Sequence, residues 1–385
     1  MRILLSLLAV AAVAAVAVPA QAGHRPSELQ RHADAIHALG IPGAQARLVS
    51  EGGRHQVATS GFGDLATRSP VPPDGRFRIA STGKAFVATV ALQLVGEGRL
   101  RLDDTVEKWL PGVVRGNGND GRRITVRQLL QHTSGIHDDF PDYTTEAEFL
   151  RHRFDLYTPE QLVARAMAHE PDFKPGKGWG YSSTGYMLVD MIIERVTGDS
   201  WWAEVDRRIV RPLGLTATSW PGLSPEVPRP HARGYQVFAP GRHFDVTEQV
   251  VVDPDAAITS TTRDLNTFFR ALLGGRLLRP AQLAAMTRTV PVAADLAEIM
   301  PGARYGLGLF RRPLPCGGVY WGHPGGGAGY ATDNGVTGDG RRSVALSVNG
   351  MLGNAPDDFI RQQHAADVLV EGALCGEGAT RPRRG

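Results

Sequence analysis

The sequence predicts a mixed α/β fold of the α+β kind: one sheet built from both ends of the chain, with a helical region inserted between them. Three observations carry this. Short strand-like runs occur early, near residues 44–60, and return late, from about residue 305 to 348, each time separated by Gly-rich turns. Between them, apolar residues recur at helical spacing and are interrupted by Pro and Gly. An amphipathic stretch, 359–374, then closes the chain. Strands at both ends with helices between place the sheet region over about 41–101 and 251–375 and the helical region over about 102–250.

The elements follow in order. Arg2, the apolar run Ile3 to Val18 and the small-x-small site Ala20-Gln21-Ala22 read as a secretory signal peptide over 1–22. The run is shorter than the roughly 20 residues a membrane span needs. No cysteine lies near the cleavage site to take a lipid. The expected mature chain is therefore secreted, with no membrane span, and its folded domain covers 23–375. Glu28 to Leu39 is predicted helical, ending at Gly40. Ala44 to Val49 and His55 to Ser60 are predicted strands around the hairpin signal Glu51-Gly52-Gly53. A helix over Ala85 to Val95 has Ser81 in its first turn. Helical patterns follow at Val126–Gln131, Pro159–His169, Thr184–Val196, Trp201–Val210, Asp264–Leu273 and Ala281–Met286. Late strands are predicted at Tyr305–Phe310, Val319–His323, Tyr330–Val336 and Ser343–Val348. Residues 376–385 form a basic tail, expected to be disordered.

With 42% hydrophobic and 21% charged residues, the composition is that of an ordinary globular protein. The formal charge of +3 disappears once Arg2, Arg381, Arg383 and Arg384 are set aside. Nothing therefore points to nucleic acid or an anionic membrane as a partner. Cys316 and Cys375 are the only cysteines, and an even count in an exported chain favours one disulfide. Neither has the close Cys or His neighbours a metal site needs, and the spacing of His24, His32 and His37 fits no compact zinc pattern. No metal and no organic cofactor is expected.

The chemistry concentrates in three segments. Ser81-Thr82-Gly83-Lys84 puts an amine one helical turn from a hydroxyl, where it could take the proton that keeps serine a poor nucleophile. Tyr181-Ser182-Ser183 follows the Gly-rich run Lys174 to Gly180. His323-Pro324-Gly325 ends the Val319 strand and opens a further Gly-rich run to Tyr330. Taken singly, each has a structural explanation: Ser81 as a helix cap, Lys84 as a solvated surface residue, Tyr181 as a core tyrosine, His323 as a strand end. No G-x-S-x-G motif of the other common serine hydrolases is present.

Together with Leu129-Leu130-Gln131-His132-Thr133-Ser134-Gly135 and Tyr305-Gly306-Leu307-Gly308-Leu309, these segments resemble the serine penicillin-recognising hydrolases. The resemblance runs from about Pro42 to Cys375, and is strongest to secreted D-alanyl-D-alanine carboxypeptidases and class C β-lactamase relatives. It implies a β-lactamase/transpeptidase-like fold, an antiparallel sheet flanked by helices with an inserted helical region. It implies an acyl-enzyme at Ser81, with Lys84 or an ionised Tyr181 as the base and Tyr181 as general acid. A positive His323 would keep the Lys84–Tyr181 pair short of a proton. The oxyanion hole would be the backbone N–H groups of Ser81 and Gly326. His132 and His137 are expected to be structural.

The sequence departs from that family where substrate is held. Ser183 stands in place of the usual Asn, which would contact a substrate amide. Pro324 and Gly326 replace threonines on either side of Gly325. Phe310 occupies the place of an arginine that grips a terminal carboxylate; Arg312, one strand repeat on, is the candidate substitute. The expected substrate is a small peptide, ester or β-lactam. D-Alanyl-D-alanine carboxypeptidase or a related D-amino-acid peptidase ranks first, an esterase or amidase second, a β-lactamase third. A non-catalytic penicillin-binding sensor is the reading from another class. A monomer is expected.

Overall fold

Strand β1, Gly43–Val49, is buried along its whole length, as a central strand covered on both faces must be. In the computed structural model, which describes residues 26–353 and 355–376, it is an interior strand of a ten-stranded antiparallel sheet, third from one edge. The expected leader, and all of the expected tail except Gly376, fall outside the described residues.

The hairpin predicted around Gly52-Gly53 joins β1 to β2, His55–Asp64. Gly53 supplies the left-handed turn with φ 74°. The late strands are β3, Phe310–Pro313; β4, Val319–Gly322; β5, Tyr330–Thr337; and β6, Ser343–Val348. Their order across the sheet is β3-β4-β5-β6-β1-β2, so β6 from the end of the chain pairs with β1 from its start. Three residues, Gly325–Gly327, form a side strand on the first residues of β5.

Helices cover both faces. Helix α1, Glu28–Ala38, is capped by the Ser27 hydroxyl, which accepts from Gln30 N at 3.2 Å. With the terminal helix it buries Leu29, Ile36, Leu369 and Val370 against Leu346 and Val348. The opposite face carries α2, Lys84–Gly96; α3, Ser183–Thr197; and α4, Thr262–Leu273. Phe86 of α2 stacks on Phe268 of α4 with ring centroids 3.7 Å apart. Burial of each such ring is worth about 1.5–3 kcal/mol. Helix α5, Pro356–Cys375, ends in a disulfide to Cys316, which lies in the turn between β3 and β4. It closes a separation of 59 residues, worth about 4 kcal/mol on the chain-entropy estimate.

Several expectations need correction. The run Tyr305–Phe310 is not one strand: a two-residue strand ends at Tyr305, and β3 begins only at Phe310. The glycines between make the turn. Gly308 has φ 79°, and a Cβ there would lie 2.5 Å from Ala88 Cβ. The region 102–250 is not wholly helical, since Tyr235–Ala239 and Arg242–Asp245 form a hairpin. Ser81 lies in a 3-10 turn, Ala80–Gly83, and the α-helix starts at Lys84.

Candidate active site

The turn that carries Ser81 is set by its neighbours. Ala80 is held at φ 48°, a left-handed conformation that costs a residue with a Cβ about 1 kcal/mol or more. Thr82 is buried and anchors the turn to the sheet, its hydroxyl donating to the His323 carbonyl at 2.8 Å and lying 2.8 Å from the Thr332 hydroxyl. The side strand is pressed against the same turn: a Cβ on Gly325 would sit 2.3 Å from Ile79 O and 3.0 Å from Ser81 N. Only glycine permits that approach, and it brings the backbone of Gly326 beside that of Ser81.

Lys84 opens a helix whose apolar residues are buried on every side, and its own side chain is fully buried. Its Nζ donates to Asp255 Oδ1 at 3.2 Å and to Asp253 Oδ2 at 3.5 Å. Burial alone would lower the lysine's pKa; Asp253 and Asp255, with Tyr181 and Asp138 behind them, outweigh it and raise it well above the ordinary value. Asp255 is itself pushed up to about 8 by burial and by Asp253, against the pull of Lys84. Neither aspartate was singled out in the sequence. The available signal was Lys84 itself, because a lysine that opens a largely apolar helix needs a buried counter-charge.

An aromatic box surrounds this pair. Lys84 Nζ lies 5.5 Å from the ring centres of both Tyr181 and Tyr186. Burial pushes the Tyr181 phenol up to about 12, with the Lys84 cation and the Ser81 hydroxyl beside it pulling the other way. Its Oη has no hydrogen bond of ordinary geometry. Such bonds often tighten only when substrate is bound.

His323 corrects an expectation. It is buried; Nδ1 lies 2.7 Å from Pro324 O, and Nε2 lies 3.0 Å from Tyr305 Oη. A carbonyl only accepts, so Nδ1 carries a proton; in the neutral ring Nε2 then accepts from the tyrosine. Burial pulls its pKa down to about 3. The ring is neutral at physiological pH and adds no positive charge to the Lys84–Tyr181 pair. His132 is also closer to the chemistry than expected, its ring 4.3 Å from that of Tyr181. His137 lies apart, paired with Asp172.

A cavity of about 570 Å³ opens on Ser81, and Tyr181, Phe310, His323, Gly325 and Gly326 line it. One wall is apolar, formed by Trp179, Leu296, Ile299, Met300 and Phe310. Ser183, at the first turn of α3, lines a second pocket on the other side of Ser81, with Asp138, Asp142 and Asp253. Arg312 is the second correction. Its guanidinium is paired through both nitrogens with Asp367 of α5 at 2.5 and 2.7 Å, and it does not line the cavity. The strand repeat does return it to the face of Phe310, but the terminal helix covers that face. No lysine or arginine lines the cavity among the described residues, whereas Asp172, Asp295 and Asp333 do. The described residues contain no group of three or more His, Cys, Asp or Glu able to hold a metal ion, and no helix long and apolar enough to cross a membrane.

Comparison with known proteins agrees with this geometry. Residues 29–368 match the beta-lactamase family. A D-stereospecific amidohydrolase from Streptomyces sp. superposes with a TM-score of 0.79 at 42% identity, over 88% of this chain and 97% of that one. The D-amino acid amidase from Ochrobactrum anthropi SV3, complexed with L-phenylalanine amide, gives 0.74 at 26% identity, over 88% and 97%. Penicillin-binding protein 4* of Bacillus subtilis is 28% identical over 74% of this chain and 63% of its own length. Penicillin-binding protein 4 of Amycolatopsis lactamdurans is 35% identical over 46% of this chain and 44% of its own. The matches thus span less than two thirds of either curated relative. A Ser-x-x-Lys turn, an adjoining tyrosine and a glycine strand on an antiparallel sheet, with that match across the chain, make this protein a serine hydrolase of the beta-lactamase family.

Proposed function

We propose that this chain is a D-stereospecific amidase or esterase that transfers the acyl group of a small D-amino acid derivative to Ser81 and then to water. The observation that carries the reading is the cavity beyond Ser81, with its apolar wall, its three aspartates and, among the described residues, no lysine or arginine. A substrate with a free terminal carboxylate would be buried there without a partner, which is costly. An amide or ester leaving group brings no charge, and a bulky apolar side chain fits the Trp179–Phe310 wall. This reverses the order expected from the sequence, which placed carboxypeptidase first. The D-configuration is supported by the similarity to the D-stereospecific amidohydrolase and to the D-amino acid amidase.

In this mechanism Ser81 Oγ attacks the carbonyl carbon, and the N–H groups of Ser81 and Gly326 hold the oxyanion. The Lys84–Tyr181 pair takes the serine proton, and Tyr181 returns one to the leaving nitrogen or oxygen. Neutral His323 holds Tyr305 and the start of the glycine strand in place. Export, expected from residues 1–22, belongs to the same proposal, and the Cys316–Cys375 disulfide supports it.

The test is hydrolysis of D- and L-phenylalanine amide, phenyl acetate and diacetyl-Lys-D-Ala-D-Ala, by wild type and Ser81→Ala. The expected result is turnover of the D-amide and the ester, little of the L-amide or the peptide, and a loss of about 10⁴-fold or more in the variant. D-Ala release at a rate matching the amide would restore the carboxypeptidase reading. Activity surviving in Ser81→Ala would overturn the mechanism.

A further inference from the structure

A fully buried lysine beside a nucleophile presents a problem of proton supply. As an ammonium, Lys84 cannot accept the proton of Ser81, and two carboxylates favour the ammonium. The structure shows where a proton could go. Asp255 is completely buried; its Oδ1 accepts from Lys84, and its Oδ2 has no hydrogen-bond donor. That second oxygen belongs to a carboxylate beside Asp253, and two neighbouring carboxylates readily share one proton. The turn bearing Ser81 is built around this contact. A Cβ on Gly83 would sit 2.1 Å from Asp255 O and 3.2 Å from Asp255 Cβ, so the glycine of Ser81-Thr82-Gly83-Lys84 is what admits Asp255 to the lysine.

We infer that Asp255 is a positioning residue that takes a proton from Lys84 as Lys84 takes the proton of Ser81. The inference rests on the reading of Ser81 as the nucleophile. The balance is simple. The Ser81 O–H bond breaks as Oγ bonds to the carbonyl carbon, and the serine proton reaches Lys84 Nζ. One Nζ–H proton passes at the same time to Asp255, so lysine stays an ammonium and the carboxylate becomes the acid. When the tetrahedral intermediate collapses, the transfer runs backwards, a proton reaches the leaving atom through Tyr181, and the bond from acyl carbon to leaving group breaks. No oxidant, metal or further reactant is needed.

The other titratable groups around the pair are Asp138, Asp190, Tyr181, Tyr186, Tyr305, His132 and His323. Burial lowers the histidines, which makes them weak bases, and raises the phenols and Asp190, while Asp138 accepts from Ser182 and Thr184. Asp255 and its neighbour Asp253 are left as the acceptors in contact with the ammonium.

The test is kcat/KM against pH for phenyl acetate, which carries no titrating group, with wild type, Asp255→Asn and Asp253→Asn. Wild type should show a rising limb above the ordinary carboxylate range, where Asp255, raised by burial and by Asp253, ionises. Asp255→Asn should abolish that limb and lower kcat/KM by about 10²-fold, within the range of a lost acid–base partner. Asp253→Asn removes the like charge that raises Asp255, so its limb should move to lower pH. Asp253 is only partly buried, so this variant decides the matter if Asp255→Asn does not fold. A limb unmoved in Asp253→Asn overturns the inference, as does a wild-type limb in folded Asp255→Asn. If Ser81 is still acylated stoichiometrically, the nucleophile reading stands even then. Loss of the adduct in wild type would overturn both.

Discussion

The two sides of Ser81 are built differently. On the inner side, Lys84, Asp255, Tyr186, Tyr305 and His323 are buried and tied to one another or to backbone carbonyls. On the outer side, the cavity wall of Trp179, Leu296, Ile299, Met300 and Phe310 offers substrate mainly apolar contact. The inner groups cannot move independently, because every one of them makes a hydrogen bond whose loss would be costly in a buried medium, and only the second oxygen of Asp255 is left open. The outer wall can exchange one apolar residue for another at the cost of packing alone. The chemistry is therefore rigidly specified, while the choice of substrate rests on a few replaceable side chains.

Gly83→Ala should break the inner side most severely. The added methyl collides with the backbone of Asp255 rather than with a flexible side-chain end. The turn and the 253–255 segment must then separate, moving Ser81 or the carboxylate by about an ångström. Misplacement on that scale costs about 10²-fold. The expected outcome is a loss of that size in kcat with little change in KM for phenyl acetate. A variant with wild-type kcat would show that the inner side tolerates displacement, and the contrast between the two sides would fail.

Phe310→Arg sharpens the comparison from the outer side. It places a cation where the described residues of the cavity lining supply none, next to the position of a leaving group's carboxylate. A charge-assisted bond of about 1.5 kcal/mol would raise kcat/KM for diacetyl-Lys-D-Ala-D-Ala about tenfold relative to D-phenylalanine amide. Phe310 also packs on Tyr305 and His323, at 4.6 and 5.2 Å between ring centres, so both substrates should lose some rate in absolute terms. The ratio is the measure. An unchanged ratio would mean that Phe310 is part of the inner scaffold rather than of the recognition wall.

The same division separates what the sequence made legible from what it did not. Ser81, Lys84, Tyr181 and the glycine strand could be read because their spacing is local, and the pairing of strands from both ends followed from strand-like runs at both ends. Asp255 could not be placed because its contact with Lys84 spans 171 residues. Arg312 was misjudged for a related reason. Alternation along β3 gives its face correctly, but only the packed terminal helix shows that Asp367 already holds the guanidinium. The error at Tyr305–Phe310 was local: a run of Gly-Leu-Gly-Leu looks like a strand, yet Gly308 takes a positive φ and lies against α2.

The last expected effect is on stability rather than on activity; it concerns the protonation of the inner side, and its sign follows from burial. His323 titrates near 6.5 when unfolded and is pulled down to about 3 when folded. The unfolded chain therefore binds the extra proton between those values. The stability that neutral His323 contributes is complete above about pH 6.5 and is lost as pH falls toward 3, by about 1.4 kcal/mol per pH unit. Asp333 acts in the opposite sense, because its carboxyl is pushed up to about 7 by burial and by Asp367 and gains a proton in the folded chain first. The wild-type curve alone thus mixes opposing contributions. The difference between wild type and His323→Gln isolates the imidazole, since a neutral amide can still donate to Pro324 and accept from Tyr305. Thermal melts from pH 7.5 down to 4.5 should show wild type losing stability relative to the variant below pH 6.5. Parallel curves would mean that the imidazole titrates alike in the folded and unfolded chain, and would return His323 to the cationic role that its burial opposes.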